Sequence, residues 1–96
     1  MAGYLIANIE VADPKGFDEY RQKVAPLIAK FGGRYIVHFG DVVAFEGATP
    51  NDIVIIAFDS MDKAQAWRAS KAFKNLVHPA RSIRNIRTFA VAGVTQ

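Results

Sequence analysis

Asp52-Ile53-Val54-Ile55-Ile56-Ala57-Phe58 sets six apolar side chains in succession behind one carboxylate. A strand with one wet face alternates apolar and polar residues. This run does not alternate, it is rich in β-branched residues, and it has the length of a strand, so it reads as a central strand covered on both faces. Everything else must be arranged to cover it.

Working toward the N-terminus, 47–52 is a loop marked by Pro50 and Asn51. Arg34 to Phe39 reads as a second strand, and Val42 to Glu46 continues it or pairs with it after a turn at Gly40-Asp41. Before the glycine pair Gly32-Gly33 lies a helix, opened by Asp13-Pro14. The aspartate can cap free N–H groups, proline suits the first helical position, and Asp18 and Glu19 suit the positive end of the dipole. Phe17, Tyr20, Val24, Leu27, Ile28 and Phe31 form one stripe, and it continues through Pro26, which predicts one bent helix. Tyr4 to Val11 is the first strand. Working toward the C-terminus, Ser60 caps a helix from Met61 with Ala64 and Trp67 inward. Ser70 to Val77 is a short helical piece stopped before Pro79, and Asn85 to Val94 is the last strand.

The order βαββαβ predicts an α+β fold, a ferredoxin-like sandwich with two helices on one face of a four-stranded antiparallel sheet. The second sheet face is also apolar, and a homodimer packed sheet to sheet would bury it. The 96 residues are read as a single domain, 1–96, and 51% of them are hydrophobic, which excludes a disordered chain. The net charge of +3, from 12 basic and 9 acidic residues, suits a small anionic ligand without demanding nucleic acid. There is no cysteine, so disulfide and thiolate chemistry are excluded. No apolar run is long enough to span a membrane, and a cytoplasmic location is expected.

Motifs for phosphate loops, dinucleotide binding and serine hydrolysis are missing, and His38 and His78 lack the spacing of a metal site. No cofactor and no metal are expected. In uninterrupted alternation Arg34, Ile36 and His38 share one strand face. Arg34 there would hold a carboxylate as a planar fork or make a surface ion pair, and His38 would transfer a proton or sit at an interface. Asn8 is an amide in an apolar strand, serving as ligand contact or structural anchor. Trp67 is core or ligand platform, and Ser70 a cap or a ligand contact. Arg81 begins a basic run with Arg84 and Arg87 that is a solvated edge or the mouth of an anion site. The site reading therefore takes His38 as catalytic and Asn8, Arg34, Trp67, Ser70 and Arg81 as substrate-binding.

The phrases YLIANIEVADPKGFDEY (4–20), GGRYIVHFG (32–40), Glu46-Gly47, the Ala64-to-Trp67 AxxW and the closing VAGV (91–94) resemble the domain-of-unknown-function 1330 family of the dimeric α/β-barrel superfamily. The resemblance covers nearly the whole chain. It implies a homodimer, within a superfamily that includes cofactor-free monooxygenases, lactone isomerases and haem enzymes; the family itself has no general assigned reaction. By that analogy alone His78 would be a haem ligand. Where many relatives read R-G-G, this chain has His38-Phe39-Gly40, so no family role for an arginine carries over to position 38. The expected function is a small-molecule enzyme or binding protein for an acidic, aromatic or lactone-like metabolite. The alternatives are a non-catalytic ligand sensor and an RNA-binding module, the latter disfavoured because 52–58 lacks the aromatic pattern that stacks bases.

Overall fold

The computed structural model describes residues 2–76 and 83–94. Its elements are β1 (Gly3–Val11), α1 (Pro14–Lys30), β2 (Gly33–His38), β3 (Asp52–Phe58), α2 (Met61–Ala69), α3 (Lys71–Lys74) and β4 (Ile83–Ala92). The strands form one antiparallel sheet in the order β2-β3-β1-β4, so the apolar run of β3 is central as its composition demands. This is the ferredoxin-like α+β fold. Among the described residues the short helical piece expected from Ser70 is present as α3, separated from α2 at Ser70, whose backbone is extended and whose hydroxyl caps α3.

Register sorts the side chains into two faces. Leu5, Ala7 and Ile9 of β1 align with Ile56, Val54 and Asp52 of β3, and toward β4 Leu5 and Ala7 align with Ala90 and Thr88. On the helix side Leu5, Ile9, Val54, Ile56 and Phe58 pack with Phe17, Val24 and Ile28 of α1 and Ala64 and Trp67 of α2. Trp67 is 1% exposed. At roughly 25 cal/mol per Å² of apolar area, burial of such a ring is among the largest single contributions to the core. The other face carries Ile6, Ile53 and Ile55 in the middle and Phe89 and Val91 on β4, the last two exposed.

Two glycines set the packing distance. Gly32 closes α1 in the left-handed region, φ +78°, and its carbonyl accepts from the Asp59 amide. A Cβ on Gly33 would stand 2.6 Å from Phe58 Cε1 and 2.7 Å from Ile28 Cγ2, so only glycine lets β2 lie this close to the core. Pro26 is accommodated within a continuous α1.

Four local expectations are corrected. Asp13 is the N-cap of α1, but its side chain makes no capping hydrogen bond, and Asp18 and Glu19 fall beyond the first turn. Val42 to Glu46 forms no strand; Val43 is 74% and Phe45 94% exposed, because 40–51 runs out from the sheet without a pairing partner. The first strand begins at Gly3, and the last spans Ile83–Ala92. The fourth correction concerns the faces of β2.

Candidate functional site

The pairing of β2 with β3 slips by one residue between Tyr35 and Val37: Tyr35 aligns with Ile56, Val37 with Ile55 and His38 with Val54. Ile36 is thus the extra residue of a β-bulge. Simple alternation put Arg34 and His38 on one face. The bulge separates them, placing His38 with Tyr35 on the helix side and Arg34, aligned with Ala57, on the opposite side, where it is exposed. The next residue, Phe39, has φ +59°, a conformation costly for a bulky side chain. It is held there by its amide, which donates to the Ile53 carbonyl at 3.0 Å, and by its ring, 4.8 Å from Phe17. Bulge and left-handed residue together aim a compact aromatic group at α1. His38 stacks on Phe17 at 5.5 Å, meets Tyr35 edge-on at 5.4 Å and lies 4.3 Å from Phe39.

Between sheet and helices lies a cavity of about 90 Å³. Its floor is Leu5, Ala7, Ile9, Val54, Ile56 and Thr88 of the sheet. Its walls are Phe17, Tyr20, Val24 and Ile28 of α1, Tyr35 of β2, Trp67 and Arg68 of α2 and Phe73 of α3. At ~10–15 Å³ for a single water, such a space admits an apolar ring or several waters. The lining residues whose side chains carry a polar group are few: Tyr20, Tyr35, Trp67, Arg68 and Thr88. Burial raises the pKa of both tyrosines above its ordinary value; Arg68 partly offsets this at Tyr20, while at Tyr35 the neighbouring Tyr20 adds to it and Arg21 opposes it. Both are therefore protonated donors at neutral pH. Arg68 lies over the Phe73 ring at 4.3 Å, a cation–π contact that fixes it on the wall.

His38 stands one layer behind this lining, against Phe17 and Tyr35. Its Nε2 is shielded from solvent and has no hydrogen-bond partner. Desolvation, reinforced by Arg21 and opposed by its own backbone and Asp18, lowers its pKa, so the ring is neutral at pH 7.

The other expected site residues are distributed as follows. Trp67 is a cavity wall, its ring 5.4 Å from Phe31 and 5.6 Å from Phe73. Ser70 donates to the Trp67 carbonyl at 2.6 Å and accepts from the Phe73 amide at 3.1 Å; it joins α2 to α3 and does not line the cavity. Asn8 is on the face away from the helices, where its Oδ1 accepts from the Asn51 amide at 3.0 Å and anchors the start of β3. Arg81 and His78 lie outside the described residues. Arg84 pairs with Glu10 at 3.5 Å, an exposed contact, and Arg87 lies 5.5 Å over Phe89. Among the described residues no three His, Asp or Glu side chains converge as a metal site, and no helix is long and apolar enough to cross a membrane. Sequence reasoning missed Tyr20, Tyr35 and Arg68. Tyr20 was assigned to the core stripe, Tyr35 to the face opposite His38, and Arg68 sits beside Trp67 with no motif around it.

An aromatic-walled cleft between an antiparallel four-stranded sheet and its helices defines a ferredoxin-like small-domain class. Within that class the chain belongs to the family described as domain of unknown function DUF1330, whose model matches residues 2–94. No curated protein matches it. Among solved structures it is similar to the RPA0582 protein of unknown function from Rhodopseudomonas palustris, with TM-score 0.71 and 10% identity over 99% of this chain and 84% of that one. It is also similar to HapK from Hahella chejuensis, with TM-score 0.65 and 18% identity over 98% and 94% of the two chains. A third is SnoaB, a cofactor-independent oxygenase from Streptomyces nogalater, with TM-score 0.67 and 12% identity over 99% and 95%. At these identities the likeness is one of fold.

Proposed function

We propose that this chain is a small-molecule enzyme or binding protein that takes an acidic, aromatic or lactone-like metabolite into the cleft between sheet and helices, as a homodimer. The observation that carries this reading is the cavity itself: an apolar, aromatic-walled space with a few polar groups is how small ligands are held and oriented. The fold of SnoaB, a cofactor-independent oxygenase, supports the reading by analogy of architecture. In the enzyme reading His38 is the proton-transfer residue. Its neutral ring with an unpaired nitrogen is suited to accept a proton, and a shift of Phe17 or Tyr35 would bring it to the ligand. Phe17 and Tyr35 nevertheless separate the ring from the cavity, and this favours a second reading, a ligand sensor without turnover.

Trp67 is the only tryptophan and forms part of the cavity wall, so its emission reports occupancy. Titration with aromatic acids and aromatic lactones should change that emission saturably, and no response to any of them would refute the cleft as a ligand site. With a ligand that is turned over, His38→Gln should abolish turnover and leave affinity nearly unchanged. Undiminished turnover in that variant would return His38 to a packing role.

A further inference from the structure

Arg68 has no carboxylate within ion-pair distance among the described residues. The hydroxyls of Tyr20 and Tyr35 likewise make no hydrogen bond to the described residues, and both side chains are half-buried. Polar groups that border an apolar space and are not spent on protein partners remain available to hold and orient a ligand. Here three donors from three elements, α1, β2 and α2, border one apolar cavity, and the field of Arg68 reaches Tyr20 while that of Tyr20 reaches Tyr35. All three can donate to one acceptor, and one of them carries a permanent positive charge.

We propose that Arg68, with Tyr20 and Tyr35, forms an oxyanion-binding set that selects a planar ligand bearing a carboxylate, enolate or phenolate oxygen. This rests on the cleft being the ligand site, and it assigns the anion-holding role that Arg34 was expected to fill. The apolar body of the ligand lies on Leu5, Ala7, Ile56 and Trp67. Its charged oxygen faces the Arg68 fork, and the two phenolic O–H groups donate to it or to a carbonyl conjugated with it. Stacking on Phe73 orients the guanidinium without spending its N–H donors. The set also suits an oxygen that gains negative charge during a reaction, because both tyrosines stay protonated in the buried site.

The test is calorimetric binding of benzoate, 4-hydroxybenzoate and neutral benzamide at pH 7.5 to the wild-type protein and to variants Arg68→Gln, Arg68→Lys, Arg21→Gln and Tyr35→Phe. The wild type should prefer the two anions to benzamide by tenfold or more. Arg68→Gln should erase that preference while keeping benzamide affinity, and Arg68→Lys should restore part of it. Tyr35→Phe should weaken all three probes severalfold with the preference intact. Arg68 is exposed, so thermal unfolding of its variants should match the wild type. A preference that survives Arg68→Gln, or that follows Arg21→Gln instead, overturns the assignment while the cleft stands. If none of the probes binds the wild type, the cleft reading falls and this assignment with it.

Discussion

Histidine 38 couples stability to pH. Its folded-state pKa is below the ordinary value of about 6.5, chiefly through desolvation and secondly through Arg21. Above pH 6.5 the ring is neutral in both folded and unfolded chains, and it costs nothing. As pH falls through 6.5 the unfolded chain takes up a proton that the folded one resists, so stability drops until the folded pKa is passed. The urea midpoint should therefore fall between pH 7.5 and 5.5, and the part of that fall due to this ring should vanish in His38→Gln. A second expectation at this scale concerns glycine. Gly33→Ala forces a methyl against Phe58 and Ile28 and should cost about 1–3 kcal/mol, whereas Gly40→Ala, with nothing within 4 Å, should change the unfolding free energy by less than about 0.5 kcal/mol. The sequence made Trp67 and the Ser70 cap legible, since spacing and residue type alone imply them. It hid the pairing of Asn8 with the Asn51 amide, which joins residues 43 positions apart.

The bulge in β2 is the element that aims the site. It inserts Ile36, so Tyr35 and His38 face the helices and Arg34 does not. Deleting Ile36 should leave an ordinary strand in which 35 and 38 keep their register partners. The His38 resonance in an NMR titration should then still report a pKa below 6.5; a return to the free-histidine value would mean that the geometry of the bulge itself, and not register alone, orients the ring. Hydrophobic patterning marked the core elements: α1 by its recurring apolar stripe and β3 by an uninterrupted apolar run. It could not find the bulge, since nothing in Arg34-Tyr35-Ile36-Val37-His38 marks which residue is left over. For the same reason the faces of this strand were misread, and with them the shared face expected for Arg34 and His38. The loop 40–51 was misread differently: Val42-Val43-Ala44-Phe45 has strand composition but no neighbour to pair with.

At the scale of the whole molecule, the face away from the helices keeps Phe89 and Val91 exposed, Ile36 and Ile86 at the register shifts are exposed as well, and the same chain extends Val43 and Phe45 into solvent. So much apolar surface on a chain of this size is the mark of an interface. Light scattering at micromolar concentration should give twice the 10.6 kDa of one chain, and Ile55→Asp, in the middle of that face, should halve the mass. A monomeric mass for the wild type would refute the homodimer. One further property follows from the order β2-β3-β1-β4. β1 is made first, yet one of its edges is covered by β4, along the whole pairing from Gly3 with Ala92 to Val11 with Ile83. On the ribosome, then, that edge stays bare until β4 has emerged. Until then the emerging chain presents a long apolar strand with unpaired amides and carbonyls, open to any other extended peptide. Thr88, part of the cavity floor, also arrives with this last strand. The cleft therefore gains its complete floor only with the arrival of β4, and a ligand could help to fasten this sheet only after that strand has docked.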